Sequence, residues 1–180
     1  MRYCSNCKAL RETLALSQRG EPEERCAACG FRLQDAARLK QRASVQGLKV
    51  LCIDDNRLTR QVLADTLAAH GVLPLTAADG PTGLAMAATE RPHLILVDVV
   101  LPGIDGLEVC RRLRANPRTE AIPLIVLTAL GDPQLNAQAF EAGADLVLGK
   151  PAAPDKLMAT VRAALALQKG RSTREGPGSP

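Results

Sequence analysis

Leu94-Ile95-Leu96-Val97-Asp98 is four branched aliphatic residues closed by a carboxylate. A run so short and so uniformly apolar reads as a strand buried on both faces, as in a parallel sheet covered by helices. The pattern recurs on either side. Val50-Leu51-Cys52-Ile53 runs into Asp54-Asp55, Leu124-Ile125-Val126-Leu127 stops at Thr128, and Leu146-Val147-Leu148-Gly149 ends on Lys150. In such sheets ligands bind just outside the carboxyl ends of the strands. Three carboxylates, a hydroxyl and an ammonium are therefore expected at one rim, a set suited to a divalent cation and a phosphoryl group.

Strands and helices alternate between Gly47 and Gln168. The pattern predicts strands over 48–53, 72–77, 93–98, 122–128 and 145–149, and helices over 57–69, 81–90, 106–115, 133–142 and 154–168. Five βα units with short loops imply an α/β, doubly wound (βα)5 parallel sheet of flavodoxin-like type with right-handed crossovers. Pro74 interrupts the second strand, and proline is tolerated in sheets mainly at an edge. The strand order 2-1-3-4-5 puts it there. Gly71 is expected to stop the first helix.

The chain of 180 residues suits one domain with a small appendage. Its apolar stretches are broken by charge before the ~20 residues a membrane span needs. The opening Met1-Arg2-Tyr3-Cys4-Ser5-Asn6-Cys7 has no signal-peptide core, so a cytoplasmic location and no membrane partner are expected. With no Trp, two Phe and one Tyr, the core must be aliphatic, and base-stacking nucleic-acid readers are disfavoured. The net charge of +4 is uneven: +4 over residues 1–46, −2 over 47–168 and +2 over 169–180. The last stretch is polar and rich in Pro and Gly, and is expected to be a disordered tail.

Of six cysteines, Cys52 and Cys110 sit alone in apolar segments and read as small buried residues. The others form Cys4-x2-Cys7 and Cys26-x2-Cys29, eighteen residues apart. Paired thiolates at that spacing are a zinc signature, each tight turn supplying two of four tetrahedral ligands. A segment so poor in apolar residues needs the metal to fold. Residues 1–32 are thus expected to be a structural Zn²⁺ module resembling a zinc ribbon, followed by a helical linker over 33–46.

Residues 48–168 resemble the receiver domain of two-component response regulators. The match runs through Val50-Leu51-Cys52-Ile53-Asp54-Asp55-Asn56, Leu94-Ile95-Leu96-Val97-Asp98, Leu101-Pro102-Gly103-Ile104-Asp105-Gly106-Leu107-Glu108, Leu124 to Ala129, Gly143-Ala144-Asp145 and Lys150-Pro151. The resemblance implies that Asp98 accepts a phosphoryl group from a phosphohistidine on a sensor histidine kinase or a histidine phosphotransfer protein. It implies Mg²⁺ on Asp55, Asp98 and the backbone carbonyl of Val100, with Asp54 acting largely through water. Thr128, Ala129 and Lys150 would contact the phosphoryl oxygens. Such a protein is a phospho-accepting switch, not an enzyme beyond slow self-dephosphorylation.

Each of these residues also has a plain reading. Asp54 or Asp55 could cap the helix starting near Arg57, and Asp105 and Glu108 fit a helix start. Lys150-Pro151 is the candidate for a cis bond, since X-Pro bonds alone isomerise cheaply. Two departures from the family pattern stand out. Val147 occupies a position where an aromatic ring usually swings inward. Val100 and Leu130, two residues past Asp98 and Thr128, are apolar and cannot orient a hydrolytic water, which predicts a long-lived phospho-aspartate. No output domain is expected after Gln168, and the cysteine segment is expected to be a docking or output element for an unidentified downstream protein. Two alternatives remain: a nucleic-acid-binding regulator using Arg2, Lys8, Arg11, Arg19, Arg25 and Arg32, and a haloacid-type phosphatase. The second expects Asp-x-Asp after its first strand, not the adjacent Asp54-Asp55.

Overall fold

In a computed structural model, the protein is described over residues 45–129 and 133–172, with side chains to residue 168, and over the backbone of four short strands nearer the N-terminus. The chain divides into two units, Met1–Gln46 and Gly47–Pro180. In the first, β1 (Arg2–Cys4) pairs antiparallel with β2 (Ala9–Arg11), and β3 (Thr13–Leu16) with β4 (Glu23–Cys26). Cys4 lies opposite Ala9 and Cys26 opposite Thr13 in these ladders. The zinc expectation depends on the thiols of Cys4, Cys7, Cys26 and Cys29, which lie outside the described residues. So do most of the expected linker and the tail beyond Ser172.

The second unit is a five-stranded parallel sheet. Its strands are β5 (Lys49–Ile53), β6 (Leu73–Ala77), β7 (Leu94–Asp98), β8 (Leu124–Ala129) and β9 (Leu146–Lys150), in the order β6-β5-β7-β8-β9. That is 2-1-3-4-5 within the unit, and the strand carrying Pro74 is at the edge. The central β7 is buried at every residue. Leu94, Ile95, Leu96 and Val97 are all fully enclosed, which is why no polar residue alternates through them.

The helices are α1 (Arg57–Ala69), α2 (Gly80–Glu90), α3 (Gly106–Ala115), α4 (Pro133–Glu141) and α5 (Pro154–Ser172). Asn56, not Asp54 or Asp55, caps α1: its side chain accepts from the N–H groups of Leu58 and Thr59 at 2.9 and 3.2 Å. Asp79 and Asp105 cap α2 and α3 through Thr82 and Glu108 N–H, at 2.8 and 2.7 Å. His70 is the cap residue at the end of α1, and Gly71 follows it at φ 79°, a conformation costly for any residue with a Cβ. The last helix runs past the expected end at Gln168 as far as Ser172. Helix propagation adds one hydrogen bond per residue, so Gly170 costs only about 1 kcal/mol and does not stop it.

Away from the strand carboxyl ends, Arg114 binds the amino ends of β8 and β9 together. Its guanidinium donates to the carbonyls of Gly143 (2.9 Å) and Ile122 (2.7 Å) and to Asp145 Oδ2 (2.8 Å), while Asp145 Oδ2 also accepts from Leu124 N–H. No helix among the described residues is long and apolar enough to cross a membrane.

Candidate functional site

Because every strand of the sheet points the same way, the residues that end the strands share one rim. Asp54 follows β5, Asp98 closes β7, Thr128 and Ala129 close β8, and Lys150 closes β9. The Lys150–Pro151 peptide is cis. Lys150 Nζ lies 2.6 Å from Asp54 Oδ2 and 2.7 Å from Asp98 Oδ2, one ammonium bridging two carboxylates. Asp54 is fully buried, and its other oxygen accepts from Asn56 N–H at 2.9 Å. Both oxygens of Asp54 are thus engaged by the protein. Asp55 is exposed, and its carboxylate has no hydrogen-bond partner among the described residues. Ligand oxygens of Asp54, Asp55 and Asp98 lie within 4.8 Å of one another.

Asp98 also accepts from the backbone N–H of Val100. Its own backbone is packed against the start of α3, where Gly106 N–H donates to Val99 O at 2.9 Å. A Cβ on Gly106 would collide with the Asp98 carbonyl oxygen, so only glycine allows this approach. Thr128 is buried at the same rim with its hydroxyl turned to Ala129 O at 3.3 Å. Val147 is half-buried and packs on the core. Leu130 lies outside the described residues.

Burial pushes the Asp98 carboxyl above its ordinary value; Lys150 pulls it back, and the charge of Asp54 raises it further. Burial alone would lower the Lys150 ammonium. Its hydrogen bonds and attraction to Asp54 and Asp98 outweigh that and hold it above its ordinary value. Three carboxylates facing one ammonium leave two negative charges uncompensated, which a divalent cation would match. The donor set consists of hard oxygens, with Asp55 exposed beside the buried pair, and it fits Mg²⁺. The thiols of Cys52 and Cys110, both pushed up to about 12 chiefly by burial, are inert at neutral pH.

Next to Asp98 and Lys150 opens a cleft of about 590 Å³ whose walls include Leu58, Val62, Leu63, Val100 and Pro151. Leu58, Val62 and Val100 are 76%, 61% and 72% exposed, so an apolar surface leads directly to the Asp98 carboxylate. The sequence reading had placed Asp54, Asp55, Asp98, Thr128 and Lys150 at this rim, and the structure brings them together. Asn56 and Gly106 lie within the quoted motifs, but the sequence assigns no separate role to them or to Arg60. An asparagine before a helix was the available signal for the first; Gly106 acts through a tertiary contact with β7, and Arg60 through backbone carbonyls five and six residues before it.

Residues 50–162 match the family model of the response regulator receiver domain. The chain belongs to the response regulator receiver family. It is 42% identical over 114 residues to response regulator PleD of Caulobacter vibrioides, covering 63% of this chain and 25% of PleD. It is 38% identical over 133 residues to response regulator MprA of Mycobacterium sp. strain KMS, covering 74% and 56% of the two chains. To the DNA-binding dual master transcriptional regulator RpaA of Synechocystis it is 41% identical over 117 residues, covering 65% of this chain and 48% of RpaA. The chain thus spans between a quarter and about half of these relatives. Among solved structures, chemotaxis response regulator CheY4 of Vibrio cholerae superposes with a TM-score of 0.63 at 32% identity, over 66% of this chain and 99% of that one. The BeF3-activated DrrB receiver domain gives 0.59 at 30%, over 67% and 99%. A receiver domain is a signalling switch of two-component systems.

Proposed function

We propose that this receiver is switched by transfer of a phosphoryl group to Asp98 from a phosphohistidine on a sensor histidine kinase or histidine phosphotransfer protein. The observation that carries the reading is Lys150 Nζ held at 2.6 and 2.7 Å between Asp54 and Asp98, at the mouth of the apolar cleft. A carboxylate oxygen of Asp98 attacks phosphorus, the P–N bond to the donor imidazole breaks, and the electron pair returns to the ring nitrogen. Asp55, Asp98 and the Val100 carbonyl would hold Mg²⁺ directly, and Asp54, its oxygens already engaged, would act through water. The bound cation supplies positive charge opposite the phosphoryl oxygens, so that an anionic nucleophile can approach an anionic donor.

Lys150 then donates to a phosphoryl oxygen as a point charge. The Thr128 hydroxyl leaves Ala129 O by rotation about χ1 and donates to another, joined by the Ala129 N–H. With Val147 in place of a ring, the signal leaves through the Thr128 end of β8 and α4. The apolar walls at Leu58 and Val62, one turn apart on α1, suit the helical face of a donor protein.

The N-terminal unit over residues 1–32 completes the proposal as a Zn²⁺ module held by Cys4, Cys7, Cys26 and Cys29, a docking or output element joined to the receiver by residues 33–46. Its support is the Cys-x2-Cys spacing and the position of Cys4 and Cys26 at the ends of hairpin strands. The assembly would work in the cytoplasm, where kinase and phosphodonor are found.

The test of the acceptor chemistry is intact-mass measurement after incubation with a small phosphodonor: one phosphoryl group is expected with Mg²⁺ and none in EDTA. A second expectation concerns lifetime. Val100 is exposed beside Asp98 and offers no hydrogen bond to a hydrolytic water. Phospho-Asp98 is expected to decay over many minutes, and Val100→Asn to shorten the decay by about tenfold through general positioning of that water. A wild-type half-life of seconds would contradict it.

A further inference from the structure

Three consecutive carbonyls in the turn between β5 and α1 accept from one residue. Arg60 Nη1 donates to Asp54 O at 2.6 Å and to Asp55 O at 2.9 Å, and the Arg60 backbone N–H donates to Asn56 O at 3.0 Å. From the other side, Asp54 N–H donates to Ala77 O at 3.2 Å. The half-buried guanidinium therefore closes the loop that carries two of the three site carboxylates. Asp54 has further restraints, from Asn56 N–H and Lys150. Asp55 has none among the described residues, so the direction of its carboxylate depends on how firmly its backbone is held.

Mg²⁺ demands near-ideal octahedral geometry, and groups that orient a metal's ligands set affinity almost as strongly as the ligands themselves. We infer that Arg60 is a positioning residue for the acidic site, clamping the backbone of residues 54–56 so that Asp55 presents its oxygens toward Asp98. This inference rests on the Mg²⁺ site of the proposed function. Arg60 also carries a permanent positive charge, and the two roles have opposite signs. Removing a nearby positive charge strengthens cation binding by electrostatics alone. Removing a clamp weakens it.

The test is Mg²⁺ titration calorimetry on the full chain, alongside melting temperature in EDTA. Arg60→Ala is expected to weaken Mg²⁺ binding about tenfold, and Arg60→Lys, which keeps a donor near both carbonyls, to recover part of the loss. Arg57→Ala removes a charge from the same helix, one whose side chain makes no hydrogen bond to the turn carbonyls among the described residues, and is expected to leave affinity within about twofold or to tighten it. Arg60→Ala binding Mg²⁺ as tightly as wild type, or tighter, overturns the inference, and so does a lower melting temperature in EDTA with affinity unchanged. If Arg60→Ala fails to fold, Arg60→Gln, too short to reach both carbonyls, is read by the same criteria. A wild-type chain that binds no Mg²⁺ would refute the proposed cation site itself, an outcome separate from equal binding by wild type and variant.

Discussion

Lys150→Ala is expected to destabilise the cation-free protein by about 2–3 kcal/mol, and Mg²⁺ is expected to restore much of the loss. Breaking a buried ion pair costs about 3–5 kcal/mol because it leaves an uncompensated charge. Here two carboxylates lose their shared partner at once, and Asp54 is fully enclosed. The expected cost falls below the upper range because the lysine is 26% exposed, so water and counter-ions reach the vacated position. A divalent cation would supply positive charge at the same cluster. Urea denaturation of wild type and variant, each in EDTA and in Mg²⁺, measures both effects. A variant as stable as wild type in EDTA, or one that Mg²⁺ does not stabilise more than it stabilises wild type, would contradict the electrostatic account of the rim.

Gly106→Ala is expected to be of similar size for a steric reason. The first atom of the new side chain would overlap the Asp98 carbonyl oxygen, with Asp98 C and Val99 Cα at 2.8 and 2.9 Å. All three are backbone atoms, so no rotamer change relieves the clash; either the start of α3 or the end of β7 must move. Overpacking of this kind costs about 1–3 kcal/mol, and the upper end applies where only backbone can yield. The same shift would weaken the Gly106 N–H to Val99 O bond and displace Asp98. A misplacement near 1 Å lowers rates by on the order of 10²-fold. Phosphoryl transfer to Gly106→Ala is therefore expected to slow far more than a few kcal/mol of lost stability would explain in a protein that remains folded. Thermal unfolding with initial labelling rates separates the two effects, and a variant with wild-type rates would show that the tight approach plays no part in holding Asp98.

Much of the fold was legible because β5, β7 and β8 are buried on both faces, so their runs lack any polar interruption. Pro74 then placed its own strand at the edge, which decides the order of the sheet. The site was legible for a related reason: parallel strands share one carboxyl rim, so residues that end separate apolar runs must meet. What local pattern could not show was which atoms pair there. Asp54 was a plausible helix cap by position, yet Lys150, from the far end of the domain, occupies one of its oxygens, and Asn56 takes the capping role. Arg60 read as an ordinary helical charge because its partners are backbone carbonyls, which leave no trace in side-chain identity. Gly106 sat within a matched motif, but its purpose appears only once β7 and α3 are side by side. The run of α5 beyond Gln168 was hidden by Gly170, whose modest cost a long helix absorbs.

The most direct measurement compares intact masses of wild type and Asp98→Asn after incubation with a small phosphodonor and Mg²⁺, with peptide mapping of any label. The amide keeps the shape of the side chain and removes the nucleophilic oxygen charge. Wild type is expected to gain one phosphoryl group mapped to Asp98, and Asp98→Asn none. Equal labelling of the two proteins, or a label mapped to another residue, would contradict the assignment of Asp98 as the acceptor.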